Sequence, residues 1–231
     1  NECDVICITT PDDIILKVWE QIKNYNLQQK IICHFSGSLS SDIFSGIEKT
    51  KAEKIIGVEI QKEPFLLAKR SAELNGICGR VDFINCDAKE IKEHLPSGYA
   101  DTVTCNPPYM NGNWGFLSPS DKKALARHEI TINIDDVAKI SAYLLKCGGY
   151  FSMVHRAERL CDVICAMRKY KIEPKRIRFV HSYAQNAPKL FLIEGISGAK
   201  PALKVLEPLV IYGENGEYTD EVKCLYKGEN C

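Results

Sequence analysis

The chain has 231 residues with 30 basic and 30 acidic side chains, and 45% of its residues are hydrophobic. Such a composition predicts a soluble globular protein of one large domain or two small ones, long enough to bury a core. No apolar stretch approaches the length of a membrane span and no secretory leader opens the chain, which excludes a membrane protein and predicts a cytoplasmic one.

Eleven cysteines are scattered through the chain, mostly within apolar runs. The regular pairs, Cys3 with Cys7 and Cys161 with Cys165, lack partner His or Cys residues at the spacing of zinc sites. We therefore expect reduced, mostly buried thiols and no metal.

Short apolar runs alternate with segments of helical periodicity along most of the chain, which predicts a mostly parallel sheet covered on both faces. Strands are predicted at 4–8, 30–35, 54–59, 81–85, 102–105 and 150–155. Helices are predicted at 11–26, 39–50, 62–76, 88–98, 134–149 and 157–170. The helix at 134–149 is expected to stop at its glycine pair.

The pattern changes after Lys175, where KRIRFVHSY, KLFLIEGI and KVLEPLVIYG are rich in strand-forming residues. No helix is predicted between the first two runs. The pattern indicates an α/β fold whose parallel sheet is completed by a C-terminal pair of antiparallel strands.

Polar residues or glycine follow four predicted strands: Gly37, Glu59, Asp87 and Asn106. Parallel strands share one carboxyl edge, where open α/β sheets bind ligands, so these residues are expected to line one crevice. An acidic residue after the second strand of such a unit is well placed to bind ribose hydroxyls, which makes Glu59 the candidate. The alternative is a solvated charge at a strand end.

The segment TVTCNPPYM ends an apolar strand with Asn106, Pro107, Pro108 and Tyr109. The prolines make a rigid corner, so the Asn106 side-chain oxygen and the Pro107 carbonyl can accept hydrogen bonds from one exocyclic amine in a fixed geometry. Two such acceptors favour a pyramidal, nucleophilic nitrogen, and Tyr109 offers a face on which the base stacks. A plain strand-terminating turn is the alternative.

Basic residues concentrate between Arg156 and Arg178, and they are expected either to face phosphates or to form a solvated helix face. Three further basic residues beyond the NPPY segment are candidates for contact with a nucleic-acid substrate: Lys122, Lys123 and Arg127. His128 and His155 fit packing or surface roles.

From about Glu48 to the C-terminus the chain resembles the bacterial N6-adenine tRNA methyltransferases, which modify the adenine 3′ of the anticodon of a valine tRNA. KIIGVEIQKEPFLLAKRSAELNG, VDFINCDAKE, DTVTCNPPYM and VHRAERLCDVICAMRKYKIEPKRIRFVH carry the resemblance. It implies a Rossmann-like, S-adenosylmethionine (AdoMet)-dependent fold. By that similarity Glu59 binds the AdoMet ribose, Asp87 its adenine amine, and Asn106 with Tyr109 the target base. Gly37 and Asn106 also belong to the expected cofactor site, and Arg156 to the substrate site.

The first strand and its loop depart from the family pattern. Cys33 stands where an acidic residue is expected, and Leu39 replaces a second glycine, although Gly37 is kept. Residues 3–47 instead resemble the Rossmann-like domain of NADP-dependent oxidoreductases related to pyrroline-carboxylate reductases. The sequence thus predicts a segment 1–47 of separate origin joined to a methyltransferase domain at 48–231.

Three functions follow from these observations. The first is AdoMet-dependent N6-methylation of adenine in tRNA. The second is a methyltransferase-like fold, a nucleic-acid-binding remnant or artificial fusion, that no longer catalyses. The third, an NAD(P) oxidoreductase, rests on the first fifth of the chain, which has no G-x-G-x-x-G loop.

Overall fold

The computed structural model describes residues 5–8, 31–34, 54–107 and 132–227. Its strands are β1 (Val5–Ile8), β2 (Ile31–His34), β3 (Ile55–Val58), β4 (Val81–Ile84), β5 (Ala100–Cys105), β6 (Leu145–Arg156), β7 (Ile172–His181), β8 (Leu190–Ser197), β9 (Lys204–Val205) and β10 (Leu209–Val210). Its α-helices are α1 (Lys62–Leu74), α2 (Ile134–Leu144), α3 (Leu160–Lys169) and α4 (Asp220–Lys227), and Ala88–Glu93 and Ala157–Arg159 are 3₁₀-helices.

Strands pair in three separate sheets within the described ranges. β1 pairs with β2 in parallel, β3 pairs with β4 in parallel, and a six-stranded sheet has the order β10-β7-β8-β6-β5, with β9 beside β7. β5 and β6 are parallel, whereas β8 is antiparallel to β6. The predicted antiparallel element near the C-terminus is confirmed in β8, and the parallel β1–β2 pair is the one expected of a βαβ crossover.

Two compact units divide the described residues. The first contains the ranges up to His94 together with 180–187 and the residues from 208 onward, and the second contains 95–179 and 188–207. The predicted division of the chain at residue 47 stays a prediction. No helix in the described ranges is long and apolar enough to cross a membrane.

The first unit contains the β3-α1-β4 segment, in which β3 and β4 pair from Ile55 with Val81 to Val58 with Ile84. Helix α1 ends at Asn75, whose side chain donates to the Ser71 carbonyl, and Gly76 follows with a positive φ of 66°. Asparagine and glycine are the residues that leave a helix in this way at low conformational cost. The predicted helix at 62–76 is therefore confirmed to within two residues.

The second unit is built on a core that fills one face of β6 and β8 beneath α2 and α3. Phe151, Val163, Met167 and Phe191 are completely buried there. Alternate residues of β6 point to this face because strand side chains alternate. Burying side chains of this size contributes about 1.5–3 kcal/mol each, which makes this cluster a main source of the unit's stability.

The helix predicted at 134–149 is five residues too long. Helix α2 begins at an Asn133–Asp136 capping box but ends at Leu144, and β6 starts at once with Leu145. Between the pairs Ala100–Leu145 and Thr102–Tyr150 the register shifts, so Lys146–Gly149 form a bulge in β6. Glycine signals a bulge as well as a helix end, and the sequence pattern does not distinguish the two.

Two other helix predictions need correction. The segment predicted at 88–98 forms only the 3₁₀-helix Ala88–Glu93, and 157–170 divides into a 3₁₀ turn followed by α3. Helix α4 was missed because its amphipathic pattern is only eight residues long.

The prediction of reduced thiols is confirmed for the free cysteines of the described residues, whereas the prediction that they are mostly buried is wrong. Cys78, Cys147, Cys161 and Cys165 are exposed free thiols, and Cys224 is disulfide-bonded. Cys161 and Cys165 lie on α3 and Cys147 in the β6 bulge, within runs that are apolar in sequence, so local hydrophobicity did not predict their exposure.

Candidate functional site

Glu59 and Asp87 follow the carboxyl ends of two paired parallel strands of the first unit, Glu59 one residue after β3 and Asp87 three residues after β4. The Glu59 backbone N–H donates to the carbonyl of Ile84, the last residue of β4, at 3.0 Å, which extends the ladder one residue past β3. Glu59 is half-buried, and so is Asp87, which follows Ile84 by three residues. Both predicted cofactor-binding carboxylates therefore belong to one edge of this two-stranded sheet.

Hydrogen bonds fix the turn that carries Glu59. Its Oε1 accepts the Gln61 backbone N–H at 2.7 Å, and the Asn85 side-chain amide donates to the Glu59 and Ile60 carbonyls at 2.8 and 3.1 Å. The Asn85 contacts join the ends of two neighbouring strands across 25 and 26 residues of sequence. The Glu59 carboxylate thus has a defined orientation.

Asp87 has a local structural role as well. One carboxylate oxygen caps the following 3₁₀-helix by accepting the Lys89 backbone N–H at 2.9 Å, and the Lys89 ammonium lies 3.6 Å from the other oxygen. Asp is a preferred capping residue because its short side chain reaches such N–H groups. The cap holds the carboxylate in place, and its second oxygen has acceptor capacity for a further donor.

The predicted acceptor residues begin where β5 ends in the second unit. Asn106 directly follows Cys105, the last residue of β5, and is half-buried, while Pro107 is buried. Burial raises the pKa of the Cys105 thiol to about 12, so this cysteine stays protonated and inert at neutral pH. Asn106 therefore begins the loop directly after an uncharged thiol at the end of β5.

β6 ends beside β5 with a buried histidine. Cys105 pairs with Met153, so His155 lies two residues further along β6 at the same edge. His155 is 4% exposed, and its Nδ1 accepts the Arg156 backbone N–H at 2.9 Å. Burial, and next the Arg159 guanidinium, lower the pKa of His155, so its ring is neutral at neutral pH. This geometry confirms the packing role predicted for His155.

The basic stretch from Arg156 to Arg178 is largely paired with acidic groups of the same chain. Five of its side chains form ion pairs: Arg156–Glu158, Arg159–Asp162, Arg168–Glu173, Lys169–Asp135 and Arg176–Glu194. Two more bond backbone carbonyls, Lys175 to Lys200 and Arg178 to Glu207. The geometry therefore favours the interpretation of a solvated face over that of a phosphate-binding patch.

Two neighbouring side chains of the basic stretch converge on Asp135, at the start of α2. Lys169 reaches its two oxygens at 2.8 and 3.0 Å and the Tyr170 hydroxyl donates to it at 2.6 Å. Hydrogen bonds from Lys169 and Tyr170 hold the pKa of Asp135 below its ordinary value. Asp135 therefore stays ionised and neutralises Lys169, one of the basic residues that the sequence analysis considered for phosphate binding.

Several predicted site residues lie outside the described residues: Gly37, Pro108, Tyr109, Lys122, Lys123, Arg127 and His128. Of the remainder, Glu59 and Asp87 belong to the first unit, and Asn106, Pro107 and Arg156 to the second. Arg156 is exposed, and one of its guanidinium nitrogens lies 3.8 Å from a Glu158 carboxylate oxygen. That all of these residues line one crevice stays a prediction.

Sequence reasoning missed Asn85 and Gln61. Asn85 stands in VDFINCD, between the strand and the candidate Asp87, where an amide at a strand end could have been recognised as a side chain that bonds neighbouring backbone. The role of Gln61 lies in its backbone N–H, which no residue pattern reports.

Comparison with models of protein families found no match. Among curated proteins, the tRNA1(Val) (adenine(37)-N6)-methyltransferase of Photobacterium profundum is 23% identical over 209 residues, which cover 90% of this chain and 85% of the relative. The enzyme of the same name from Parabacteroides distasonis is 25% identical over 170 residues, covering 74% of this chain and 70% of the relative.

The first of these matches includes at least part of residues 1–47, since it leaves only a tenth of the chain unmatched. The comparisons thus give no support to a separate origin for that segment. The resemblance to a methyltransferase family extends further toward the N-terminus than the sequence motifs indicated.

Among solved structures, the fold resembles a predicted O-methyltransferase, Atu636 of Agrobacterium tumefaciens, with a TM-score of 0.64 at 16% identity, covering 94% of this chain and 97% of that one. The [4+2]-cyclase SpnF matches with a TM-score of 0.51 at 12% identity over 82% of both chains. The chain therefore has a Rossmann-like methyltransferase fold, as predicted.

Proposed function

We propose that this protein transfers the methyl group of AdoMet to the N6 amine of an adenine in tRNA. The observation that carries the proposal is the match to tRNA1(Val) (adenine(37)-N6)-methyltransferases over as much as 90% of the chain. The residues expected to bind cofactor and target base stand at strand ends, where open α/β sheets bind ligands.

The residues of the first unit fit the ribose and adenine of AdoMet. Glu59 presents a carboxylate in a fixed orientation, and ribose hydroxyls are donors that such a carboxylate accepts. Asp87 keeps acceptor capacity beside its capping bond, which suits an exocyclic adenine amine. AdoMet, when bound, supplies an electrophilic methyl group on a sulfonium.

The residues of the second unit fit the target adenine. The Asn106 side-chain oxygen and the Pro107 carbonyl would accept the two N–H groups of the amine, which turns the nitrogen lone pair out of conjugation. The end of β5 and the buried Pro107 hold these acceptors before the base arrives, so little reorganisation is needed.

Neither His155 nor Cys105 is required as a base. The amine becomes strongly acidic once it carries the extra methyl group and the positive charge, and it then loses a proton to water. Of the described residues nearest Asn106, Cys105 is a protonated thiol and His155 is buried against Phe191 with its Nδ1 bonded to backbone.

Contacts to tRNA are proposed for Arg156 and for Lys122, Lys123 and Arg127. Arg156 is the last residue of β6 and is exposed, so its guanidinium lies at the protein surface, where a phosphate can reach it. The firmly paired Lys169 and Arg176 are not proposed as contacts.

The test is transfer of labelled methyl from AdoMet into unmodified tRNA, followed by nucleoside analysis for N6-methyladenosine. Asn106→Ala should lower kcat at saturating AdoMet at least about 100-fold, roughly 2.7 kcal/mol in the barrier, and the Kd for AdoMet is measured separately by calorimetry. Asn215→Ala, in a turn of the first unit, is the control.

Two outcomes would overturn the proposal. Absence of AdoMet binding to the unaltered chain, together with salt-dependent tRNA binding, would indicate a fold that no longer catalyses. Binding of AdoMet with methyl transfer that survives Asn106→Ala would place the chemistry on other residues.

A further inference from the structure

We infer that Asn85 and the Gln61 backbone N–H form a clamp that positions Glu59 for the cofactor ribose. The clamp consists of the three hydrogen bonds Gln61 N–H to Glu59 Oε1, and Asn85 Nδ2 to the carbonyls of Glu59 and Ile60. This inference rests on the proposed function and assigns it two positioning residues.

The Asn85 amide restrains the backbone that carries Glu59. Two carbonyls in succession, those of Glu59 and Ile60, turn toward one amide group at 2.8 and 3.1 Å. Both carbonyls follow the Glu59 N–H, whose bond to the Ile84 carbonyl is the last ladder bond between β3 and β4 in the described residues. The amide therefore replaces ladder hydrogen bonds at the point where the chain leaves the sheet and turns toward α1.

The Gln61 N–H restrains the side chain of Glu59. Gln61 is the N-cap of α1, and its N–H has no acceptor within the helix, because the first N–H groups of a helix are not paired internally. It donates to Glu59 Oε1 at 2.7 Å instead. The carboxylate is thereby held, through one oxygen, in the position from which the other oxygen and the remaining lone pair can accept ribose hydroxyls.

Such a clamp strengthens cofactor binding without taking part in chemistry. A free glutamate side chain loses rotamer freedom when it binds ribose, and that loss weakens binding unless the side chain is already ordered. Loss of either restraint should therefore raise the Kd and KM for AdoMet and leave kcat at saturating AdoMet unchanged.

Gln61 allows the N–H alone to be removed. Its φ is −78°, within the range that proline adopts, and its carbonyl still accepts the Phe65 N–H when the N–H is lost. Gln61→Pro deletes the donor to Glu59 and the side chain, whereas Gln61→Ala deletes the side chain alone. The ratio of the two Kd values isolates the contribution of the N–H.

The experiment measures AdoMet Kd by calorimetry, and KM and kcat by labelled methyl transfer, for the unaltered chain and four variants. Gln61→Pro should bind AdoMet about three- to tenfold more weakly than Gln61→Ala, the effect of one net hydrogen bond. Asn85→Ala should bind similarly more weakly than the unaltered chain.

Asn75→Ala is the control for Asn85→Ala, since it also removes an amide that donates to a backbone carbonyl, that of Ser71, in the same unit. It should leave AdoMet affinity within twofold of the unaltered chain. Thermal melting verifies that each variant folds. If Asn85→Ala does not fold, the comparison of Gln61→Pro with Gln61→Ala tests the clamp by itself.

The results separate the clamp from the proposed function. If the unaltered chain binds AdoMet but the Gln61 variants have equal Kd values, the clamp is wrong and the function stands. If Asn85→Ala lowers kcat and leaves KM unchanged, Asn85 does not position the cofactor. If the unaltered chain binds no AdoMet, the proposed function itself fails.

Discussion

The ion pair between Arg176 and Glu194 allows a stability prediction worked from its geometry. Arg176 lies on β7 and Glu194 on β8, which are neighbours in the sheet, and two guanidinium nitrogens donate to the two carboxylate oxygens at 2.8 and 2.7 Å. The side chains are only 35% and 17% exposed. This bidentate, partly buried geometry is the strong form of an ion pair.

The burial of the Arg176 and Glu194 side chains determines how much their ion pair should stabilise the fold. Fully exposed pairs contribute about 0–1 kcal/mol, whereas hydrogen bonds to charged groups contribute about 1.5–3 kcal/mol. With Glu194 mostly shielded from water, we expect Glu194→Gln to cost about 2 kcal/mol and to lower Tm by about 4–8 °C in a chain of this size.

A double-mutant cycle with Arg176→Met and Glu194→Gln, followed by urea unfolding, measures the interaction directly. The coupling energy should be about 1–2 kcal/mol. The matched comparison is the pair Lys223–Glu217, which is 42% and 65% exposed at 3.1 Å and should couple by under about 0.5 kcal/mol. Equal coupling in the two pairs would refute the reasoning from burial.

Three further predictions concern stability. Folding lowers the pKa of His155, so the unfolded chain binds a proton at this residue at higher pH than the folded chain, and stability should fall as the pH drops through about 6.5, the unfolded value. His155→Gln should lessen this fall, measured as the free energy of unfolding in urea between pH 7.5 and 5.5. An unchanged dependence of stability on pH in the variant would contradict the prediction. Gly195→Ala should cost about 1–3 kcal/mol, since its Cβ would lie 2.9 Å from Ile172 Cγ2 and 3.0 Å from the Glu173 carbonyl as well as 2.5 Å from Met167 Cε. Gly79→Ala, with open space around it, is the control, and equal melting temperatures would disprove the clash. Asn133→Ala should lower the free energy of unfolding by about 1 kcal/mol, because it removes the N-terminal cap of α2. Thermal melting measures the effect, and an unchanged Tm would show that the capping box contributes nothing.

The sequence predicted the order of elements well where the pattern was long and regular. The strands at β3, β4 and β5 and the helix α1 were located within a few residues, because alternating apolar runs and a 3.6-residue period reflect burial directly. Short or mixed signals failed: the eight-residue α4 was missed, and the glycine pair before Tyr150 indicated a helix end where the structure has a bulge.

For the candidate site, the sequence by itself determined which residues stand at strand ends, since Glu59, Asp87 and Asn106 follow from the positions of the strands. Tertiary structure alone decided how those residues are held and which charges remain available. Asn85 reaches Glu59 across 26 residues, Lys169 reaches Asp135 across 34, and Arg176 reaches Glu194 across 18. Contacts between residues this far apart depend on how the strands and helices pack, which local periodicity does not record.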